Sequence, residues 1–268
     1  MRVRDVLQKL GWRATHGPYY LDPVEPKERE LDVSATRTWM TKRGITAHVT
    51  LLVECKSGRN SAQLLAQAAK RADDPLYYDW LGDDDRRVRR PIANKVDDRR
   101  LMERFQKLAY PRERALVLPV LADAPRAPFR ATATREPSGK ESGPMWDATQ
   151  KVFAAMRGTI RSENAETLEQ MLQDLDSVRD NMKDAEWVLR RAIDTVMLFH
   201  PIVSIESPLM LVDENGDMTN VPWCRLERGR VFGGDQDWID VVNADAFETY
   251  AAEATAWYER ILGRAAAK

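Results

Sequence analysis

The chain opens with a helical pattern and turns to strands within a dozen residues. Val3, Val6, Leu7 and Leu10 recur at helical spacing and Gly11 ends the run, which predicts a first helix over 3–10. "RATHGPYYLDP" reads as a strand or hairpin arm running into Pro23 and Pro26. "RELDVSATRTW" alternates. It predicts one strand with Leu31, Val33 and Ala35 on one face and Glu30, Asp32, Ser34 and Thr36 on the other. "TAHVTLLVECK" predicts a third strand, rich in Val and Leu, that ends in Glu54-Cys55-Lys56. "SAQLLAQAAKRA" predicts a helix, capped by Asn60 or Ser61.

From residue 83 to 144 the character changes to charged and Pro-rich segments, with "RALVLPVLADA" as a strand inside a looped insertion. Residues 145–161 predict a helix. A second helical pattern follows, with Leu168, Met171, Leu172, Leu175, Val178, Met182, Ala185, Leu189, Ile193 and Val196 on one stripe, as one kinked helix or two. After His200-Pro201 the period switches to strands: "PIVSIESPLMLVD", a turn at Asn215-Gly216, "NVPWCRLERG" and "DWIDVV". A closing helix spans about 244–262, with Phe247, Tyr250, Ala254, Trp257 and Ile261 facing inward. The order predicts a mixed α/β sheet protein. It is read as a single elaborated domain over 1–268, with its core in 1–80 and about 145–268.

The totals narrow the field. The 268 residues carry a net charge of −1, so the whole chain has no nucleic-acid footprint. Any such surface must come from local segregation. Arg86 to Lys140 supplies one candidate, with 15 Lys and Arg against six Asp and Glu. That stretch is either a phosphate-contacting surface or a solvated insertion. Two cysteines, Cys55 and Cys224, make neither a disulfide framework nor a Cys-rich zinc site, and they fit a reducing cytoplasm. "MRVRDVLQKLGW" lacks a signal-peptide core, and no run approaches the roughly 18 apolar residues of a membrane span. His16, His48 and His200 do not read as a metal set. Trp146, Trp187 and Trp257 read as core residues, and the acidic helix around Glu163–Glu186 as a solvated face.

Strand geometry gives the end of the third strand its chemistry. Glu54 and Lys56 share one face, and Val53 and Cys55 take the other. If the two strands are neighbours, Asp32 lies close to Glu54. Two carboxylates at close range need a positive charge between them. Lys56 is one, and a hard cation such as Mg²⁺, which takes one or two carboxylates plus substrate phosphate, would be another. The chemistry that suits such a site is phosphodiester hydrolysis.

The pattern Glu30-x-Asp32, then "VECK" with Glu54-x-Lys56 closing an apolar strand, resembles the PD-(D/E)XK, or restriction-endonuclease-like, nuclease superfamily. The resemblance covers about the first 60 residues. It implies a mixed central sheet flanked by helices, Mg²⁺ or Mn²⁺ as cofactor, and duplex DNA as leading substrate. It implies Asp32 and Glu54 as metal ligands, the backbone carbonyl of Cys55 as a further ligand, and Lys56 as catalytic base or charge stabiliser. Glu30 and a helix Gln would support them, the Gln being Gln67 or Gln63, or else Gln150. The first helix offers only Asp5 where the family often places a Glu, and Leu31 stands where many members have Pro. A bacterial defence role, a cytoplasmic location and a homo-oligomer are compatible with the resemblance.

Bland readings stand beside these. Asp32, Glu54 and Lys56 can be a cross-strand salt-bridge cluster on a solvated face. Glu30 can be an edge acid paired with Arg29 or Lys27. Cys55 reads as a core residue rather than a nucleophile. A catalytically inactive nucleic-acid-binding module and a structural interaction protein are the alternatives in other functional classes.

Overall fold

A computed structural model describes residues 3–22, 25, 27–40, 46–57, 62–65, 77–79, 130–131, 133–135, 144–178, 183–184, 187–188, 195–213, 215–228 and 237–263. Two long strands form its centre. β5 (Thr46–Lys56) covers the predicted third strand residue for residue, and β10 (Thr195–Ile205) lies parallel to it along all 11 positions, from Thr195↔Thr46 to Ile205↔Lys56. Around them run β1 (Arg13–His16), β4 (Val33–Met40), β14 (Asp237–Asn243), β13 (Trp223–Arg228) and β8 (Arg130–Ala131), in the order β1-β4-β5-β10-β14-β13-β8. The short β7 (Tyr77–Asp79) pairs with β10 over Met197–Phe199, and β14 takes over from Ile202. Pro201, which has no N–H to give, falls at that change of partner, so a proline sits in a central strand without breaking a ladder.

Period-two burial divides the core into two layers. Ala47, Val49, Leu51 and Val53 of β5 pack with α1 (Val3–Lys9) and α3 (Phe247–Leu262). Leu52 packs on the other face with Met145, Ala148, Val152 and Met156 of the 35-residue α2 (Pro144–Val178). The protein is therefore a mixed α/β sheet with helices on both faces. A two-stranded hairpin, β2 (Tyr19–Leu21) with β3 (Glu28–Glu30), and a second sheet complete the described fold. That second sheet has the order β12 (Met218–Val221), β11 (Leu209–Val212), β6 (Ala62–Leu65), β9 (Ala133–Arg135).

Several expectations need correction. The strand expected over "RELDVSATRTW" breaks at Leu31-Asp32. Leu31 packs with α2, whereas Val33 and Ala35 pack with α1 and α3, so these three do not share a face. The helix expected over "SAQLLAQAAKRA" is strand at Ala62–Leu65, paired in parallel with β11. Sheet partners there override a helical composition. Val196 belongs to β10 and not to a helical stripe. Arg130–Ala131 and Ala133–Arg135, expected in loops, pair into the two sheets. Trp257 is core, but Trp187 is 60% exposed. Ala254 and Ile261 are only half-buried, and Ala251, Thr255 and Tyr258 take the inner positions instead. "RALVLPVLADA" and most of the basic stretch lie outside the described residues.

A buried polar network ties α3 to the sheet centre. Arg225 and Asp240 face each other across β13 and β14 and are each 1% exposed. Arg225 Nε donates to Asp240 Oδ1 at 2.8 Å and Nη2 to Oδ2 at 3.0 Å. Tyr250 Oη donates to Oδ2 at 2.7 Å. His200 Nε2 lies 2.9 Å from Oδ2 and its Nδ1 2.8 Å from Tyr258 Oη. With the proton on Nε2, Tyr258 donates to Nδ1 and every group is served by a neutral imidazole. Burial likewise holds the His200 pKa below its ordinary value, against the pull of Asp240. Burial pushes the Asp240 carboxyl up, but Arg225 and the hydrogen bonds from His200 and Arg225 outweigh it and hold the group well below the usual carboxylate range.

Two expected outcomes follow from this packing. A Cβ on Gly158 of α2 would come within 2.5 Å of the Leu21 carbonyl oxygen, so this glycine lets the β2–β3 hairpin rest on the helix. Ala in a helix normally gains up to about 1 kcal/mol over Gly. Here Gly158→Ala should instead lose about 1–3 kcal/mol through overpacking, read as a lower urea midpoint. The second outcome concerns pH. His200 has a folded pKa below its unfolded value, so its contribution is complete above about pH 6.5 and is lost as pH falls from there. The midpoint should drop between pH 7 and pH 5, and by less in His200→Gln. Asp240 adds a further loss below about pH 4.

Candidate active site

The site forms where β5 outruns β4. Their antiparallel ladder ends at Val33↔Val53, and one further step of that register sets Asp32 opposite Glu54. The chain bends at Asp32, held by Gly17 N–H donating to the Asp32 carbonyl at 3.0 Å and Leu31 N–H donating to the Pro18 carbonyl at 2.9 Å. Gly17 has φ +65°, which favours glycine in this turn. The bend directs the Asp32 carboxylate at the end of β5, where Oδ2 accepts the Cys55 backbone N–H at 2.6 Å. A strand residue's N–H and C=O leave from the same edge, so the Cys55 carbonyl also emerges on the Asp32 side. The Lys56 carbonyl faces the other way and accepts the Glu206 N–H at 3.1 Å.

Glu54 lies under α2 and is 1% exposed. Lys56 Nζ, from the same face of β5, lies 2.9 Å from Oε1. Lys151 reaches down from α2, hydrogen-bonding Oε1 at 2.9 Å and lying 2.8 Å from Oε2. Lys151 Nζ thus stands against both carboxylate oxygens, aligned as a hydrogen bond to Oε1 and as an ion contact to Oε2, which among the described residues accepts no aligned hydrogen bond. Tyr20 roofs this pocket, with its hydroxyl donating to the Lys151 carbonyl at 3.3 Å. Burial, then the charges of Asp22 and Glu54, push the Tyr20 phenol up to about 12, so it stays a neutral donor.

A cleft of about 610 Å³ opens beside the end of β5, lined by Arg4, His16, Asp32, Cys55, Lys56 and Glu206 among others. Glu54 does not line it. The cleft lies toward α1, and the Glu54 carboxylate sits behind Lys56 on the α2 side of the sheet. Lys56 thus bridges the two faces, touching Glu54 and bordering the cleft. Cys55 faces the α1 layer, as its strand parity requires. Burial, then Asp32 and Glu54, push its thiol up to about 12, so it offers no thiolate near neutral pH.

The expected set is therefore gathered in part. Asp32, Cys55 and Lys56 border one cleft, and Glu54 joins them through Lys56 from the α2 side. Glu30 is exposed on the β2–β3 hairpin, its carboxylate against Gly17 and away from the bonds that Asp32, Glu54 and Lys56 make among the described residues. Gln67 lies outside the described residues. Gln63 is on β6 rather than on a helix, and Gln150 is half-buried on α2. Lys151, the neighbour of Gln150, is the α2 residue that reaches the site, and it was missed. Its one signal was a lysine amid the buried run Ala148, Thr149, Val152, Phe153 and Ala155. His48 bonds Thr38 at 2.9 Å, well up β5, and His200 belongs to the buried network.

The residues present fit a hard divalent cation. Glu54 Oε2 is a buried acceptor met by an ion contact to Lys151 without an aligned hydrogen bond, Asp32 is hydrogen-bonded through Oδ2 among the described residues, and the Cys55 carbonyl emerges beside it. Among the described residues no three His, Cys, Asp or Glu side chains form a metal-holding group. Such a site would rest on two carboxylates, a backbone carbonyl and water, the manner of Mg²⁺ rather than zinc.

Among the described residues no helix is long and apolar enough to cross a membrane. Compared with known proteins, the chain matches no family model, no curated protein and no solved structure.

Proposed function

We propose that this chain is a metal-dependent nuclease with a restriction-endonuclease-like core, hydrolysing phosphodiester bonds of duplex DNA. The observation that carries the reading is the buried, incompletely satisfied Glu54 carboxylate, set opposite Asp32 and joined to Lys56 at the open end of a central strand. A buried charge is costly, and replacing it with apolar packing usually costs nothing or stabilises, so its retention here favours a chemical role.

In this reading Asp32 and Glu54 hold Mg²⁺ or Mn²⁺ with the Cys55 carbonyl. The cation supplies Lewis-acid polarisation of the phosphate and a bound water of lowered pKa. Lys56 borders the cleft, where its ammonium orients the attacking water and neutralises charge developing on the phosphate. Asp32 is aimed by the Cys55 N–H, so the same peptide that orients one ligand presents another.

A second reading has an observation of its own. Two ammonium groups already neutralise Glu54, as in a structural ion-pair cluster, which suits a nucleic-acid-binding fold without catalysis. The test is a cleavage assay on linear, circular and single-stranded DNA and on RNA, with and without Mg²⁺ or Mn²⁺. Asp32→Ala, Glu54→Gln and Lys56→Ala should each lower metal-dependent cleavage by about 10²–10⁴-fold with circular dichroism unchanged. Cys55→Ala, which keeps the backbone carbonyl, should retain activity within about threefold. Undiminished cleavage in the first three variants would remove the proposal. Tight, salt-sensitive binding with no cleavage in either metal would establish the second reading.

A further inference from the structure

Glu54 is neutralised twice. Lys56 takes one oxygen, and Lys151 spans both, at 2.9 Å from Oε1 and 2.8 Å from Oε2. Asp32 brings the second negative charge to the same strand end. Two carboxylates and two ammonium ions thus sum to zero before any cation enters. Lys151 is not free to withdraw its backbone. Ala148, Val152 and Ala155 around it on α2 are buried, and its carbonyl holds the Tyr20 hydroxyl. Only the side chain can move, and its side chain is 31% exposed, so water lies within its reach.

We propose that Lys151 is a built-in counter-cation of the site. Its ammonium spans both oxygens of Glu54, and a divalent cation loads only by taking Oε2 from it. This rests on the reading of Asp32 and Glu54 as metal ligands. The charge count has a consequence for substrate. A divalent cation added to a neutral cluster leaves an excess of +2, and a phosphodiester brings −1. Cation and phosphate therefore bind cooperatively, each raising the affinity for the other by the same factor. Lys151 sets that coupling, because it is the charge that makes the empty cluster neutral. It is a positioning residue, since it acts through Glu54.

The test is a titration of the full chain with Mn²⁺, followed by the electron paramagnetic resonance of free Mn²⁺, with and without a phosphorothioate duplex. Wild type should bind Mn²⁺ weakly alone and at least ~5-fold more tightly with the duplex. Lys151→Met should tighten Mn²⁺ binding alone by ~10-fold or more, since a like charge within contact range is gone. The duplex should then add less. Lys151→Arg, which keeps the charge, should stay within about threefold of wild type, and Glu54→Gln should abolish the site. Mn²⁺ should raise the melting temperature of Lys151→Met by more than that of wild type. If Lys151→Met does not fold alone, Lys151→Gln keeps a donor for Oε2 without the charge and should show the same tightening. A residue that only braced the fold would weaken Mn²⁺ binding when replaced. Unchanged or weaker binding in these variants, with wild type still binding through Glu54, would overturn the role of Lys151 and leave the metal site standing. No Mn²⁺ binding by wild type or any variant, with or without duplex, would overturn both.

Discussion

Taking the Glu54 carboxylate out of water is the constraint on which the site's architecture depends. An isolated carboxylate in an apolar interior pays a desolvation penalty of several kcal/mol, so a counter-charge must be delivered to it. β5 supplies Lys56 from its own face. α2 supplies Lys151, and that requires the helix to lie close along the sheet at one rotation. Gly158 and Tyr20 fix that placement from the other side, one by admitting the Leu21 carbonyl and the other by bonding the Lys151 carbonyl. The hairpin, the helix and the strand end thus form one mechanical unit around a single negative charge.

The other buried acid shows what a closed arrangement looks like. Asp240 receives two hydrogen bonds from Arg225, one from Tyr250 and one from His200, and all four residues are within 4% of complete burial. Its planar Arg partner matches it in bidentate fashion, and nothing is left to coordinate. Glu54 is served instead by two lysines, compact charges on flexible stems whose side chains remain about one-third exposed. Among the described residues one of its oxygens has an ion contact but no aligned hydrogen bond. The first cluster bolts α3 to the sheet. The second is held by flexible side chains and borders a cleft through Lys56.

How much of this was legible depended on the range of the interaction. β5 could be read to the residue, because a strand buried on both faces leaves a continuous apolar run with a sharp polar end. The first and last helices were legible in their extent to within a turn, although Ala254 and Ile261 of the last stripe are only half-buried. The break at Leu31-Asp32 was invisible, because alternation persists on paper through a bend that turns the chain's faces over. Leu31 and Val33 look like neighbours on one face and belong to opposite layers. "SAQLL" carries helical composition, and its pairing with β11 is set by residues about 150 positions away. Lys151 failed to appear for the same reason. A lysine on a helix is ordinary until the packing shows which side of the helix is inside.

The bend at Asp32 links these failures to the chemistry. Had the strand run straight, as its alternation suggests, the Asp32 backbone would have extended the ladder opposite Glu54 and its side chain would have stood over the sheet face. Because β4 ends one residue early, the Cys55 N–H has no backbone carbonyl to find on that edge and takes the Asp32 carboxylate instead. That single substitution of side chain for backbone turns a strand end into a donor set, with one carboxylate oxygen and one peptide carbonyl released at the same edge. The Gly17–Pro18 bend between β1 and β2 holds this arrangement by bonding the Asp32 carbonyl. The end of β4–β5 pairing at Val33 therefore shapes the strand end, and Gly17 and Pro18, whose backbones bond Asp32 and Leu31 there, carry no chemistry of their own.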